Sequence, residues 1–204
     1  KAGSGDAEDI KMRLNLAHED PVPAMIEAYS DAEASADFRA DVLKLLFSKY
    51  ARSRDERILP ILQAAVKSPD VVIRRTAVDG FDLYGETRDR LSLLGCVNDS
   101  DPAIRRKTYT VLTSGVGRSD LWDEMTAEQR SALIKTCRDR MATEADPETR
   151  FLARSVIGRE IEFLCQRARE AVDRGDIGKG EKFLQDALAL VHTSQNAKIS
   201  LVRY

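Results

Sequence analysis

Histidine is nearly missing from this chain of 204 residues: it occurs only at His18 and His192. These two lie near opposite ends, so a shared metal or acid–base site is not expected. Cysteine is also scarce. Cys96, Cys137 and Cys165 are odd in number and far apart, which excludes a disulfide framework and C-x-x-C zinc pairs. They read as buried, reduced thiols acting as small hydrophobes, which points to a reducing, cytoplasmic setting. The sequence holds no G-x-S-x-G elbow, no Walker loop and no G-x-G-x-x-G turn. No apolar run approaches the ~20 residues that span a bilayer, so membrane insertion is not expected. Neither sign of charge dominates. Lys plus Arg is 32 against 34 for Asp plus Glu, a net charge of −2. A nucleic-acid-binding domain would usually be strongly basic. No cofactor, metal or nucleic acid is therefore expected.

What remains is a globular composition, 43% hydrophobic and 32% charged. Alternating strand patterns and Asn-Gly hairpin signals are missing, and apolar residues recur with helical spacing instead. Ile58, Leu59, Ile61, Leu62, Ala65 and Val66 form one stripe, and Leu91, Leu94 and Val97 another. Leu133, Ile134, Cys137 and Met141 form a third, and Phe183, Leu184, Ala187, Leu188 and Val191 the clearest late one. Prolines sit near helix starts, where a missing N–H costs least. Pro60 is the exception and is expected to bend its helix. Residues 1–9 are small and polar and read as a linker.

Self-comparison finds a repeat. Asp70-Val-Val-Ile-Arg74, Asp101-Pro-Ala-Ile-Arg105 and Asp146-Pro-Glu-Thr-Arg150 align without gaps. A small residue follows three positions after each Arg (Ala77, Thr108, Ala153), and a large apolar one seven after it (Phe81, Leu112, Ile157). A fainter first copy runs Arg39, Val42, Leu46. Each Asp suits an N-cap, for about 1 kcal/mol. The small residue admits a neighbouring helix, and the large one fills the space between hairpins. Each copy is preceded by another helix, opening at Asp20-Pro21, at Ser53-x-x-Glu56, near Thr87 and at Thr126-x-x-Gln129. An insertion around Gly115 to Met125, with Trp122, precedes the last.

With Ile58-Leu-Pro-Ile-Leu62 followed by Ser68-Pro-Asp-Val-Val-Ile-Arg74, the chain resembles the HEAT-repeat family over residues 20 to 160. The resemblance implies an all-α, right-handed α-solenoid of about four helical hairpins, its second helices lining a concave surface. After Arg159 the pattern changes. Ala168, the Gly175-Asp176-Ile177 turn, Gly180, Ala187 and Leu188 are similar to a tetratricopeptide repeat, and Asn196-Ala197 is expected to open a further helix. The expected domains are thus 1–9 linker, 10–160 solenoid, and 161–204 tetratricopeptide-like hairpin and final helix, packed on the solenoid. Ile199, Leu201, Val202 and Tyr204 are not a polar end, so the chain reads as a piece of a longer protein.

The repeat pattern, together with the missing catalytic constellations, leads to the expectation of a non-enzymatic scaffold for protein–protein interaction. Candidate partner-binding residues are Arg75, Asp79, Arg106, Lys107, Thr110, Arg154 and Ser155, on the second helices away from the packed stripe. In a solenoid they would face the groove and suit a protein or acidic peptide. A plain solvated helix face explains them equally well. Arg74, Arg105 and Arg150 have a structural reading too, each pairing with an Asp at a neighbouring turn. Two alternatives stand beside the scaffold. One is a HEAT-like enzyme or lyase, which would need an aromatic and acidic pocket in the groove. The other is nucleic-acid binding through the arginine rows, against which the net charge speaks.

Overall fold

Asp20 opens the first helix as its sequence suggests, its carboxylate accepting the Val22 N–H at 3.1 Å. The computed structural model describes residues 20–113 and 121–201, and every regular element among them is helical, with no strand. The 1–9 linker, His18, the start of the insertion (114–120) and Tyr204 lie outside the described residues. The chain divides into two compact units, one up to Leu93 and one from Leu94.

The first unit contains α1 (Val22–Ser30), α2 (Ala36–Ser53), α3 (Leu59–Ala65) and α4 (Val71–Tyr84). Helix α1 packs on α2, α3 packs on α2 and α4, and α2 lies beside α4. The repeat positions form the core: Val42 and Leu46 on α2 are buried, as are Ile73, Ala77 and Phe81 on α4. Ser35 caps α2 by accepting the Phe38 N–H, and Asp70 caps α4 by accepting the Val72 N–H. The expected Ser53-x-x-Glu56 cap does not form. Ser53 still belongs to α2, where its hydroxyl donates to the Lys49 carbonyl, and Arg54 ends that helix in a left-handed conformation (φ 52°). Helix α3 starts later, at Leu59, so Pro60 falls in its first turn. A first-turn residue has no helical partner for its N–H, so the reason to expect a bend falls away.

At Gly80, α4 comes close to the Phe47 side chain of α2. A Cβ there would overlap the ring of Phe47, which meets Phe81 edge-on at 5.1 Å. Gly→Ala in a helix normally gains about 1 kcal/mol. Here the Phe47 ring is fully buried and has nowhere to move, and overpacking costs about 1–3 kcal/mol. Gly80→Ala is therefore expected to lower stability on balance, by up to about 2 kcal/mol in a denaturant titration. A rise in stability would refute this packing.

Asp89–Asn98 is a 3-10 helix, where the sequence suggested an α-helix from Thr87. Ser92, Gly95 and Asn98 give it weak α-propensity. Leu93 and Cys96, three apart and both buried, suit the tighter screw.

The second unit holds α5 (Pro102–Thr113), α6 (Leu121–Glu124), α7 (Ala127–Thr143), α8 (Pro147–Asp173) and α9 (Ile177–Leu201). Asp101 and Asp146 cap α5 and α8, and Thr126 with Gln129 forms the expected reciprocal capping box on α7. Helix α8 is the hub, packing on α5, α7 and α9. It is a single helix of 27 residues and passes unbroken through positions 160 and 161. The turn into α9 depends on Gly175, whose φ of +83° favours glycine. Helix α9 then runs on through Asn196 and Ala197 without reopening. No Pro or Gly interrupts residues 181–201, so nothing removes a backbone donor there. Cys96 and Cys137 are buried as expected, and burial raises the Cys137 thiol to about 12. Cys165 is exposed, contrary to expectation. It lies on the outward side of α8.

Candidate interaction surface

Four of the seven candidate residues are exposed, and Lys107, Arg154 and Ser155 are half-buried. On α4, Arg75 and Asp79 are exposed, one turn apart and opposite the buried Ile73, Ala77 and Phe81. On α5, Arg106 and Thr110 are exposed and Lys107 is half-buried. Arg154 and Ser155 on α8 are half-buried. Within the second unit, α5 lies beside α8 and Arg106 Nη1 meets Glu148 Oε2 at 2.9 Å across the pair. The Thr110 hydroxyl donates to the Arg106 carbonyl and Ser155 to the Phe151 carbonyl, so both turn back onto their own helices. The α5–α8 surface of the second unit therefore offers charged groups rather than outward-pointing hydroxyls.

In each unit, a recurring arginine holds its own turn. Arg74 Nη1 donates to the Ser68 and Pro69 carbonyls, both at 3.0 Å. Arg105 Nη1 donates to the equivalent Asp99 and Ser100 carbonyls at 2.8 and 3.0 Å. Arg105 also forms a two-pronged pair with Glu144 Oε2, from Nε at 2.8 Å and Nη2 at 2.6 Å, with both side chains buried. The expected partner was an aspartate at a neighbouring turn, such as Asp70, Asp101 or Asp146. Glu144 takes that role because the Asp146 carboxylate is engaged by the backbone N–H and hydroxyl of Thr149.

The sequence did not bring Trp122 to Glu160. The buried indole Nε1–H donates to Glu160 Oε2 at 2.6 Å, and Arg130 Nε lies 3.5 Å from the same oxygen. Arg130 also donates to the Met125 carbonyl at 2.7 Å and stacks 4.4 Å from the centroid of Phe163. Arg167 lies 5.0 Å from that ring and pairs with Asp123 and Glu170. The 38-residue separation left no local motif. One signal was available: Glu160 interrupts the apolar stripe Ala153, Val156, Ile157, Leu164, and a charge on a packed face needs a partner.

Burial raises the Glu160 carboxyl above the ordinary 4.5, opposed by Arg130 and the Trp122 N–H. An aromatic beside a carboxyl of raised pKa is the combination an enzymatic reading needs. Here Oε2 already serves the indole and the guanidinium, so the group pins α6 and α7 to α8. The native state keeps this proton to higher pH than the unfolded chain. The carboxyl's contribution to stability is thus greatest below 4.5 and declines as pH rises through the folded-state value. Trp122 is the only tryptophan and reports on it directly. Its emission is expected to titrate with a midpoint above 4.5, and Glu160→Gln is expected to remove that transition. A midpoint at or below 4.5 would contradict the burial.

Among the described residues no group of His, Cys, Asp and Glu could hold a metal ion, and no helix is long and apolar enough to cross a membrane. No protein-family model matches the chain, and no curated protein matches it.

Proposed function

We propose that this chain is a non-enzymatic scaffold of the HEAT-like α-solenoid kind, with a tetratricopeptide-like hairpin formed by the end of α8 and by α9. It holds a partner protein or an acidic peptide along its second helices. One observation carries the reading: the repeat in sequence recurs as a repeat in geometry. Arg74 and Arg105 clamp their own turns through equivalent carbonyl pairs. Asp70, Asp101 and Asp146 cap the helices that follow. Ala77, Thr108 and Ala153 are buried at equivalent positions, and second helices lie side by side as α2 with α4 and α5 with α8. Hairpins built this way cover their apolar faces only by stacking, and stacking creates an extended surface suited to partners. Arg75 and Arg106 are the residues assigned to the partner, Arg106 exchanging Glu148 for an acidic group. The buried Cys96 and Cys137 thiols favour a reducing, cytoplasmic setting.

The test compares the parent chain with Arg75→Glu/Arg106→Glu as baits in a lysate, after matching their circular dichroism. A protein retained by the parent and lost by the variant supports the assignment. A partner held equally by both removes these arginines from the site. Recovery of no protein partner, together with turnover of a substrate, would overturn the scaffold reading.

A further inference from the structure

The late apolar stripe of the sequence is only partly covered. Ala187 is buried against α8, but Ile177, Leu184 and Leu188 on α9 are 53, 46 and 55% exposed. They recur at i, i+7 and i+11 and so share one side of the helix. Val172 on α8 is 46% exposed, and Cys165, seven residues before it, is exposed too. The two helices present these residues on the same side. Gly180, which borders the α9 stripe, approaches so closely that a Cβ on it would lie 2.8 Å from Val172 Cγ2. The result is a shallow apolar face floored by the buried Ala168, Gly180 and Ala187. Its five large or sulfur-bearing side chains leave roughly 400 Å² of apolar surface, within the range of functional patches on monomers.

We infer that this face pairs with the same face of a second copy of the chain. The area argues for it. A standard interface buries about 800 Å² per partner, of which somewhat more than half is apolar, so this patch is the right size for the apolar part of one. The charges argue for it as well. Arg169 borders the face on its α8 edge and Glu181 borders it on its α9 edge. Both are exposed, and no other described residue engages either. Arg169 lies three residues before Val172 and Glu181 one after Gly180. The helices are antiparallel, so along the axis the two differ by about 3 Å. A two-fold axis parallel to the helices lays the α8 edge of one copy over the α9 edge of the other. Each Arg169 then meets a Glu181 of the second copy, giving two reciprocal pairs, as a self-complementary interface requires. This inference stands apart from the partner surface on the second helices.

Sedimentation equilibrium of the purified chain, from micromolar to near-millimolar concentration, tests it. A concentration-dependent dimer is expected. Leu184→Glu and Leu188→Glu, both exposed positions, are expected to give monomers with unchanged circular dichroism. Arg169→Glu and Glu181→Arg are each expected to weaken the dimer by about tenfold through like-charge contact. The double variant Arg169→Glu/Glu181→Arg is expected to restore it. A parent chain that stays monomeric throughout overturns the inference and leaves the face to another helical partner. A dimer unaffected by all four substitutions overturns it equally.

Discussion

Ala77→Glu and Ala153→Glu are each expected to abolish the cooperative thermal transition of the unit that carries them. Both alanines are fully enclosed, at 0 and 1% exposure. Ala77 is on the inner face of α4, and Ala153 is on the inner face of α8, the helix that touches every other long helix of its unit. A glutamate at either site would lose its hydration and gain no designed partner. The effective penalty for an unpaired buried charge is several kcal/mol, and protonation relieves it only in part. The added side-chain volume costs a further 1–3 kcal/mol, roughly. Whole domains are stable by only about 5–15 kcal/mol. The expected readout is a lost or strongly lowered melting transition in far-ultraviolet circular dichroism. Asp79→Ala, on the exposed side of α4, is the control and should melt as the parent does. Unchanged melting of both alanine variants would mean that the register of the repeat is wrong.

Glu144→Ala is expected to cost about 3–5 kcal/mol, the typical loss when one partner of a buried ion pair is removed. The Arg105 guanidinium would remain under the fold with only the Asp99 and Ser100 carbonyls as acceptors. At roughly 2–4 °C per kcal/mol for a chain of this size, the melting temperature should fall by about 10 °C. Restoring neutrality discriminates pair from packing. Arg105→Met/Glu144→Leu removes both charges and should recover most of the loss, because an apolar pair replaces a buried ion pair at little cost. A deficit of about 1–2 kcal/mol should persist, since the two carbonyls lose their donor. If Glu144→Ala melts as the parent does, the pair is not closed in solution.

The repeat itself was legible because its signals are local. An N-cap lies two or three residues from the N–H groups it serves, so Asp70, Asp101, Asp146 and Thr126 were readable from spacing. The small and large positions after each arginine are set by helical period, and all are buried. Local signals also misled. Ser53-x-x-Glu56 has the spacing of a cap, but α2 had not yet ended, because Tyr50 is still buried and its carbonyl accepts the N–H of Arg54. Asp89–Asn98 carries helical periodicity, yet weak propensity let the chain tighten into a 3-10 turn.

The sequence by itself determined that this chain is helical, where most of its helices begin, and which side of each second helix is buried. Those are consequences of periodicity and capping, which act over one or two turns. Only the tertiary structure decided which charges are partnered. Glu144 closes on Arg105 across 39 residues, and Glu160 on Trp122 across 38. It also left Cys165, Leu184 and Leu188 uncovered although the helical pattern alone would bury them. The physical reason is the same in each case. A side chain's partner, and the covering of an apolar stripe, depend on which helix comes to lie beside it, and no spacing within a single helix encodes that neighbour.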